Sequence, residues 1–332
     1  MKALITGVTG QDGQHLIPFL LSKGYEVSGL VNGQRMQYGE ILREKYPSVA
    51  QYKGDLADAS SLNRVLEITQ PDEIYNLGAL SFVVNSFSQP ELTANITGLG
   101  VLRLLEACRA TGISQSVRIY QASSSEMFGK VQEVPQTEET PFHPRSPYGV
   151  AKTFAHFACV NYREAYGMHI SCGVLFNHEG EFRGEEFVTR KITKGLSRIA
   201  LGVESSLTLG NLNSKRDWGY AGDYVEAMWL MLQQETPDDY VISTGETHSV
   251  RDFLVEAATL LGLENRLDEI IQIDSAFMRP AEVDLLIGDS TKARTVLGWK
   301  PKIDFKDLVR IMVENDFAIE KEKKHKIQKD LN

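Results

Sequence analysis

Close to the start of the chain stands Leu4-Ile5-Thr6-Gly7-Val8-Thr9-Gly10-Gln11-Asp12-Gly13. Its first apolar residues predict a short buried strand, and its three evenly spaced glycines lead into a helical pattern over residues 14–21. Glycine there allows a tight turn and lets the backbone approach a pyrophosphate, whose charge then lies at a helix N-terminus. The stretch therefore predicts a dinucleotide-binding turn. The residues assigned to the cofactor in this turn are Gly7, Thr9, Gly10, Gln11, Asp12 and Gly13.

The rest of the first half alternates short apolar runs with helical patterns. Strands are predicted over residues 2–6, 25–31, 73–77, 117–122 and 169–176, and helices over 14–21, 60–69, 91–110 and 148–166. Such alternation indicates an α/β fold with helices on both faces of a parallel sheet, which binds ligands beyond the carboxyl ends of its strands. We therefore predict a Rossmann-like, doubly wound parallel sheet.

The regular alternation of predicted strands and helices ends after Phe176. Polar, glycine-containing loops are predicted beyond it, over residues 177–186 and 209–217. We predict a dinucleotide-binding domain over residues 1–176, to which a helix and a strand within residues 221–245 return. A smaller, mainly substrate-binding C-terminal domain is predicted over residues 177–332. The lysine- and glutamate-rich tail from residue 319 is predicted to be a frayed, solvated helix.

Composition narrows the class of protein. The 332 residues, 42% of them hydrophobic and 24% charged, are ordinary for a globular protein with a substantial core. The net charge of -9 argues against a nucleic-acid partner. The three cysteines and seven histidines show no ligand spacing, so we expect no metal site. Met1 runs directly into the first strand and no apolar run is long enough to span a membrane, so we expect a cytoplasmic protein.

The end of the second predicted strand bears on the choice of cofactor. NAD-preferring sites usually carry a carboxylate there for the ribose diol, but none occurs before Glu40. Arg35 could neutralise a 2′-phosphate, so the residues favour NADP and leave NAD open. Asp55 could accept a hydrogen bond from the adenine amine. The further positions assigned to the cofactor are Leu56, Leu77, Ala79, Tyr148 and Lys152.

Tyr148 and Lys152 lie four residues apart on one predicted helix, so their side chains share a face. A nearby ammonium favours the phenolate and can lower the phenol pKa towards the working range of a general base. Ser124 lies at the carboxyl end of a predicted strand and could hydrogen-bond the oxygen that Tyr148 deprotonates. Glu126 follows two residues later and could act as an acid or base in the same crevice. We predict these four residues to be catalytic.

Over nearly all of its length the chain resembles the extended short-chain dehydrogenase/reductases, and more narrowly the GDP-mannose 4,6-dehydratases. The motifs that carry the resemblance are ITGVTGQDG (5–13), QASSSEMFG (121–129), PRSPYGVAK (144–152), LFNHE (175–179), FVTRKI (187–192), KRDWG (215–219) and RPAEVD (279–284). It implies that Tyr148 is the base at the sugar C4 hydroxyl, with Lys152 as its electrostatic partner. It further implies that Glu126 acts at C5 and C6, and that Ser124 replaces the usual threonine. The implied GDP-sugar contacts are Asn177, Arg183, Val188, Lys191, Arg216, Arg279 and Glu282.

The resemblance implies conversion of GDP-mannose to GDP-4-keto-6-deoxymannose and water, with hydride held on a tightly bound NADP between its removal and return. A homodimer or homotetramer is implied as well. The chain departs from the family at three places. Asn32-Gly33 stands where arginine is typical, the following loop is short, and Gly180-Glu181-Phe182 replaces a serine-proline stretch.

Two alternatives remain open at this stage. The first is a sister activity on the same scaffold, namely a GDP-heptose 4,6-dehydratase or a reductase, epimerase or decarboxylase of nucleotide sugars. Net NADPH consumption would identify a reductase. The second is a non-catalytic dinucleotide sensor, which would have no need of the Ser124, Tyr148 and Lys152 set.

Overall fold

A parallel sheet lies at the centre of the computed structural model, which describes residues 1–274, 283 and 285–330. The strands are β1 (Lys2–Thr6), β2 (Glu26–Val31), β3 (Ala50–Lys53), β4 (Glu73–Asn76), β5 (Arg118–Ser124), β6 (His169–Leu175), β7 (Asn177–Glu179), β8 (Leu207–Leu209), β9 (Lys215–Arg216), β10 (Trp218–Tyr220), β11 (Asp239–Ile242), β12 (His248–Ser249) and β13 (Ile271–Ile273). Seven of them form the main sheet in the order β11-β6-β5-β4-β1-β2-β3, and all its neighbouring pairs are parallel.

Helices cover both faces of this sheet. The α-helices of the described residues are α1 (Gln11–Ser22), α2 (Met36–Lys45), α3 (Ala59–Thr69), α4 (Val83–Ser88), α5 (Pro90–Thr93), α6 (Leu99–Ala110), α7 (Pro147–Tyr166), α8 (Val188–Ala200), α9 (Ala221–Gln233), α10 (Val250–Leu260), α11 (Leu267–Ile270) and α12 (Phe305–Asp330). One core packs α1 and α9 against the sheet, and another packs α3, α6 and α7 against the opposite face. The predicted α/β, doubly wound parallel sheet is confirmed.

A further buried cluster lies outside the main sheet. Ile192 and Leu196 of α8 pack there with Phe253 of α10 and with Leu308 and Met312 of α12. The short strands β8 and β13 pair in parallel beside it. This separate core is compatible with a smaller C-terminal domain, whose predicted boundaries remain a prediction. None of the described helices combines the length and apolar character of a membrane-spanning segment.

Local sequence explains where α7 begins and ends. The Ser146 side chain accepts a hydrogen bond from the backbone N–H of Gly149 at 3.0 Å, and Pro147 occupies the first turn, where its missing N–H is not needed. At the other end Gly167 adopts a φ of 64°, which glycine tolerates without steric strain. These two signals define a 20-residue helix that carries Tyr148 and Lys152 on one face.

Several predicted elements differ from the observed ones. The helix predicted over residues 14–21 begins three residues earlier, at Gln11. β5 continues to Ser124, two residues beyond its predicted end. The helix predicted over residues 91–110 is divided by a π-helical segment, Ala94–Gly98, where Gly98 approaches α7 closely. The loop predicted from residue 177 begins instead with β7, because residues 177–179 pair with β10. The loop predicted over residues 209–217 likewise contains β9.

The tail from residue 319 is helical, as predicted, and most of its described residues after Glu320 are exposed. Residues 319–330 continue the long helix α12, but Glu320 is only 4% exposed, so the beginning of the tail is not solvated. Its carboxylate lies 3.5 Å from Arg198 Nη1 and 3.9 Å from Lys194 Nζ, both on α8. These long-range ion pairs hold the first part of the tail against α8, which its local composition does not reveal.

Candidate active site

One large cavity opens at the carboxyl edge of the sheet. Its volume of about 1530 Å³ exceeds the roughly 300–1,000 Å³ usual for a site with one small ligand, so it has room for two. Every described residue that the sequence assigned to cofactor, catalysis or substrate lines this cavity. Arg279 and Glu282 lie outside the described residues. The fold therefore brings together the described residues that the sequence motifs indicated, whereas the role of each residue remains a prediction.

The turn between β1 and α1 forms one end of the cavity. Gly7 has a φ of 65°, and a Cβ added there would lie 2.9 Å from the backbone nitrogen of Gly78. A Cβ at Gly13 would lie 2.4 Å from the carbonyl oxygen of Val8. These positions accept only glycine, and together they expose the first N–H groups of α1 to the cavity. The turn thus has the form of a cradle for a pyrophosphate.

Residues after β2 line the same end of the cavity. Asn32 has a buried side-chain oxygen without a hydrogen-bond partner, so it has an acceptor available to a ligand. Arg35 is exposed, and its guanidinium lies 5.2 Å from the centre of the Tyr38 ring. These features, with the glycine cradle, fit the ribose and pyrophosphate of a dinucleotide.

Tyr148 and Lys152 are both buried at the centre of the cavity wall. Lys152 Nζ lies 5.7 Å from the centre of the Tyr148 ring and donates a hydrogen bond to the carbonyl oxygen of Ala122 at 2.6 Å. Burial lowers the pKa of the Lys152 ammonium to about 8. The Asp12 carboxylate opposes that shift.

The pKa of Tyr148 departs from the expected direction. Burial raises it above its ordinary value, while a hydrogen bond with Ser124 and the positive charge of Arg183 act in the opposite direction. The lowered pKa predicted from the neighbouring ammonium is wrong in direction, because desolvation of the phenolate dominates here. The phenolate therefore depends on the groups around it, Ser124 foremost.

Glu126 lies beside this pair in a single 3-10 turn that follows β5 directly. Its side chain is buried, and its backbone N–H donates to the Ser124 hydroxyl at 3.2 Å. The negative charge of Glu126 is among the causes that raise the pKa of Tyr148, so the two groups influence each other electrostatically. A phenol, a hydroxyl and a carboxyl group thus converge on one face of the cavity.

An ion pair that the sequence argument missed connects the two halves of the site. His178 Nε2 lies 3.0 Å from Asp12 Oδ2, and its Nδ1 lies 2.8 Å from the carbonyl oxygen of Phe176. Both ring nitrogens therefore face acceptors, which favours the imidazolium. Burial opposes charge on His178, but Asp12 raises its pKa overall. The only sequence signal was that both residues belong to the quoted motifs.

Basic and amide side chains line the opposite end of the cavity. Asn177 has a buried, unpartnered side-chain oxygen. Arg183 Nε lies 2.9 Å from the Glu179 carboxylate, and its guanidinium stacks 3.6 Å from the centre of the Phe187 ring. Arg216 is buried and donates to the carbonyl oxygen of Val283 at 2.7 Å. Val188 and Lys191 project from the first turns of α8.

An aromatic contact in this cavity was also missed. The rings of Phe82 and Phe187 meet edge to face, with 5.6 Å between their centres. One precedes α4 and the other precedes α8, so the contact joins segments more than 100 residues apart. No local pattern in the sequence could have indicated it.

One group of potential metal ligands occurs among the described residues, formed by His156, Cys172 and Asp239. Asp239 already binds Arg163 through both carboxylate oxygens, at 2.8 and 2.9 Å. The guanidinium therefore supplies the positive charge that this carboxylate requires. The absence of a metal remains a prediction.

Comparison with known proteins gives a consistent result. Residues 4–312 match the family model described as GDP-mannose 4,6 dehydratase. The chain is 52% identical to GDP-mannose 4,6 dehydratase 1 of Arabidopsis thaliana, with 97% of this chain and 91% of the relative covered. It is 48% identical to the GDP-mannose 4,6 dehydratase of Homo sapiens, with 96% and 91% covered.

Solved structures agree on the fold. UDP-glucose 4-epimerase of Thermus thermophilus, in complex with NAD, superposes with a TM-score of 0.80 at 28% identity, covering 95% of this chain and 99% of that one. RMD from Pseudomonas aeruginosa, complexed with NADPH, superposes with a TM-score of 0.79 at 25% identity, covering 96% and 99%. Both neighbours hold a nicotinamide dinucleotide.

Proposed function

The chain belongs to the GDP-mannose 4,6-dehydratase family, and we propose that it converts GDP-mannose to GDP-4-keto-6-deoxymannose with a retained NADP. The reaction class is that of a hydro-lyase acting on a GDP-sugar with a nicotinamide dinucleotide. The observation that carries the proposal is the presence of Glu126 beside Tyr148 and Ser124 in one cavity. Oxidation alone needs only the tyrosine, whereas loss of water needs a second acid–base group.

The catalytic residues differ in what each does. The dinucleotide, when bound, supplies the hydride acceptor at C4 and the hydride donor at C6. Tyr148 takes the proton of the C4 hydroxyl, and Ser124 hydrogen-bonds the same oxygen. Lys152 stabilises the phenolate by its charge.

Glu126 performs the elimination. The C4 carbonyl acidifies the C5 hydrogen, and the Glu126 carboxylate takes that proton. The resulting carboxylic acid gives a proton to the C6 hydroxyl, which leaves as water, so the carboxylate is regenerated. Each such positioned acid–base group typically contributes about 10²–10⁴-fold to the rate.

Substrate contacts are proposed for the opposite end of the cavity. Asn177 offers an unpartnered oxygen, and Arg183, Lys191 and Arg216 offer cationic donors suited to a diphosphate. Val188 adds an apolar contact beside them. Arg279 and Glu282 remain predictions from the resemblance. The proposed domain division follows, with residues 177–332 mainly binding the nucleotide sugar.

NADP is proposed because of the residues after β2. Arg35 supplies a positive charge to the cavity, and no carboxylate stands at the end of β2 to bind a free 2′-hydroxyl. The other proposed cofactor contacts follow the carboxyl ends of β1, β3 and β4, and comprise Gly7, Thr9, Gly10, Gln11, Asp12, Gly13, Asp55, Leu56, Leu77 and Ala79.

A homodimer or homotetramer is proposed from an apolar face. Val150, Phe154 and Phe157 of α7 are 56%, 46% and 55% exposed, and Leu99 of α6 is 41% exposed. A run of large exposed apolar side chains on adjacent helices is typical of a subunit interface. Light scattering of the purified protein measures the assembly. The cytoplasmic location remains a prediction.

The decisive experiment incubates the purified protein with GDP-mannose and no added cofactor, followed by mass analysis. We expect a product lighter by one water and no net change in absorbance at 340 nm. An unchanged mass would contradict the proposed substrate and favour another GDP-sugar, such as a heptose derivative. Consumption of added NADPH would instead identify a reductase.

A further inference from the structure

Phe182 lies where three parts of the protein meet. Its ring centre is 4.9 Å from that of His15 on α1, and Lys45 Nζ, at the end of α2, lies 4.3 Å from the Phe182 ring. The ring is therefore held between a helix that begins at the glycine turn and a helix that follows β2. Both helices belong to the dinucleotide end of the cavity, although Phe182 itself follows β7.

Glu181 attaches the same loop through polar contacts. Its carboxylate lies 3.8 Å from His15 Nε2, and both its oxygens lie 3.4 Å from the Tyr220 hydroxyl. The Glu181 carbonyl oxygen accepts a hydrogen bond from Arg190 at 2.6 Å. A Cβ on Gly180 would lie 3.0 Å from His15 Nε2, so the loop backbone passes directly over this histidine. We call Glu181, Phe182, His15 and Lys45 the α1 latch.

The α1 latch lies alongside the expected pyrophosphate position. The first turn of α1 lines the cavity, as do Glu181 and Phe182. Gln11 Nε2, in the first turn of α1, donates a hydrogen bond to the carbonyl oxygen of His178 at 3.0 Å. Since Phe182 contacts His15 in the second turn, residues 178–182 lie along both turns of the helix. Arg183, a proposed substrate contact, comes next in the chain. The same loop thus borders both ligands.

We propose that the α1 latch retains the nicotinamide dinucleotide between the two hydride transfers, with Glu181 and Phe182 as positioning residues. The inference rests on the proposed function, because a reaction that returns its own hydride fails if the cofactor leaves midway. Because the loop lies along α1 and borders the cavity, we expect it to separate from α1 when the dinucleotide leaves, so that each latch contact slows dissociation.

The test measures cofactor release directly. Protein loaded with NADPH is mixed with excess NADP⁺, and the loss of bound-NADPH fluorescence gives the dissociation rate. Phe182→Ala removes an aromatic contact and a cation–π contact, so we expect release about tenfold faster. Glu181→Gln removes the negative charge that faces His15, and we expect NADPH release to become about two- to fivefold faster. Phe182→Tyr keeps the ring and should restore slow release.

Phe19→Ala is the matched control. Phe19 lies one turn beyond His15 on α1, and its ring contacts Trp229 at 5.9 Å and Lys23 Nζ at 5.4 Å, outside the cavity. Phe19→Ala therefore loses an aromatic and a cation–π contact, as Phe182→Ala does, but should release NADPH at the wild-type rate.

Two outcomes would overturn the inference. One is release from Phe182→Ala within twofold of the wild type, and the other is equal acceleration by Phe19→Ala. If Phe182→Ala does not fold, Glu181→Gln decides the matter by the same comparison. The assay contains no GDP-mannose, so failure of the α1 latch is distinct from failure of the proposed dehydration.

Discussion

Lys152→Met is expected to stabilise the protein at neutral pH while it strongly lowers the activity. Lys152 is 4% exposed, and burial lowers its pKa from 10.5 to about 8. The unfolded chain therefore keeps this proton up to about pH 10.5, whereas the folded protein releases it from about pH 8. Below pH 8 the folded state bears the full cost of a buried ammonium, and that cost disappears as the pH rises through this window.

The magnitude follows from the size of the shift. Each pKa unit corresponds to about 1.4 kcal/mol, so the cost is roughly 3 kcal/mol at pH 7. It falls by roughly 2–3 kcal/mol between pH 7 and pH 10. Methionine has a similar length and does not titrate. It leaves the Ala122 carbonyl without its donor, which costs about 1–3 kcal/mol at every pH.

The assay is urea unfolding of wild type and Lys152→Met at several pH values from 7 to 10. The free energy of unfolding of the variant, relative to wild type, should decrease by roughly 2–3 kcal/mol over this range. The exposed Lys130→Met serves as control and should show a constant difference. A pH-independent difference for Lys152→Met would refute the reasoning. Activity of Lys152→Met should fall by about 10²–10⁴-fold, since it lacks the charge that supports the phenolate.

Three further substitutions test other parts of the site. Glu126→Gln should still oxidise C4 of the sugar slowly, which is seen as a rise in absorbance at 340 nm, but should release no water. Dehydration at the wild-type rate would show that Glu126 is not the acid–base group of the elimination. Arg35→Ala should weaken NADP binding by about 10- to 100-fold and leave NAD binding unchanged in fluorescence titrations, because it removes a charged partner of the 2′-phosphate; equal losses for both cofactors would contradict this. Gly7→Ala should lower the melting temperature and prevent dinucleotide binding, because its φ of 65° and the close approach to Gly78 strain any side chain; unaltered NADPH affinity would refute the cradle.

The Tyr148–Lys152 pair shows which features of the site can be predicted from residues close together in the sequence. Helical periodicity brings residues four apart onto one face, so the spacing of Tyr148 and Lys152 predicted their proximity before any tertiary contact was known. The cap at Ser146 and the proline at position 147 explain locally where their helix begins. The direction of the Tyr148 pKa shift was not predictable, because desolvation depends on how completely the rest of the chain covers the ring.

The latch and the ion pair show where such reasoning ends. Asp12 and His178 are 166 residues apart in sequence, yet Asp12 Oδ2 lies 3.0 Å from His178 Nε2. Phe182 and His15 are separated by a similar length of chain, and their rings are in contact. No periodicity connects such residues, since their meeting depends on how the chain leaves the main sheet after β6 and pairs β7 with β10.

The sequence by itself determined the glycine turn, the alternation of strands and helices, and the residue types offered at the carboxyl ends of the strands. These follow from backbone conformation and side-chain periodicity, which act over a few residues. The tertiary structure alone decided which of these side chains are desolvated, which charges pair, and which loop lies along α1. Burial and electrostatic contact are properties of segments distant in sequence, so they exist only once the whole chain has packed.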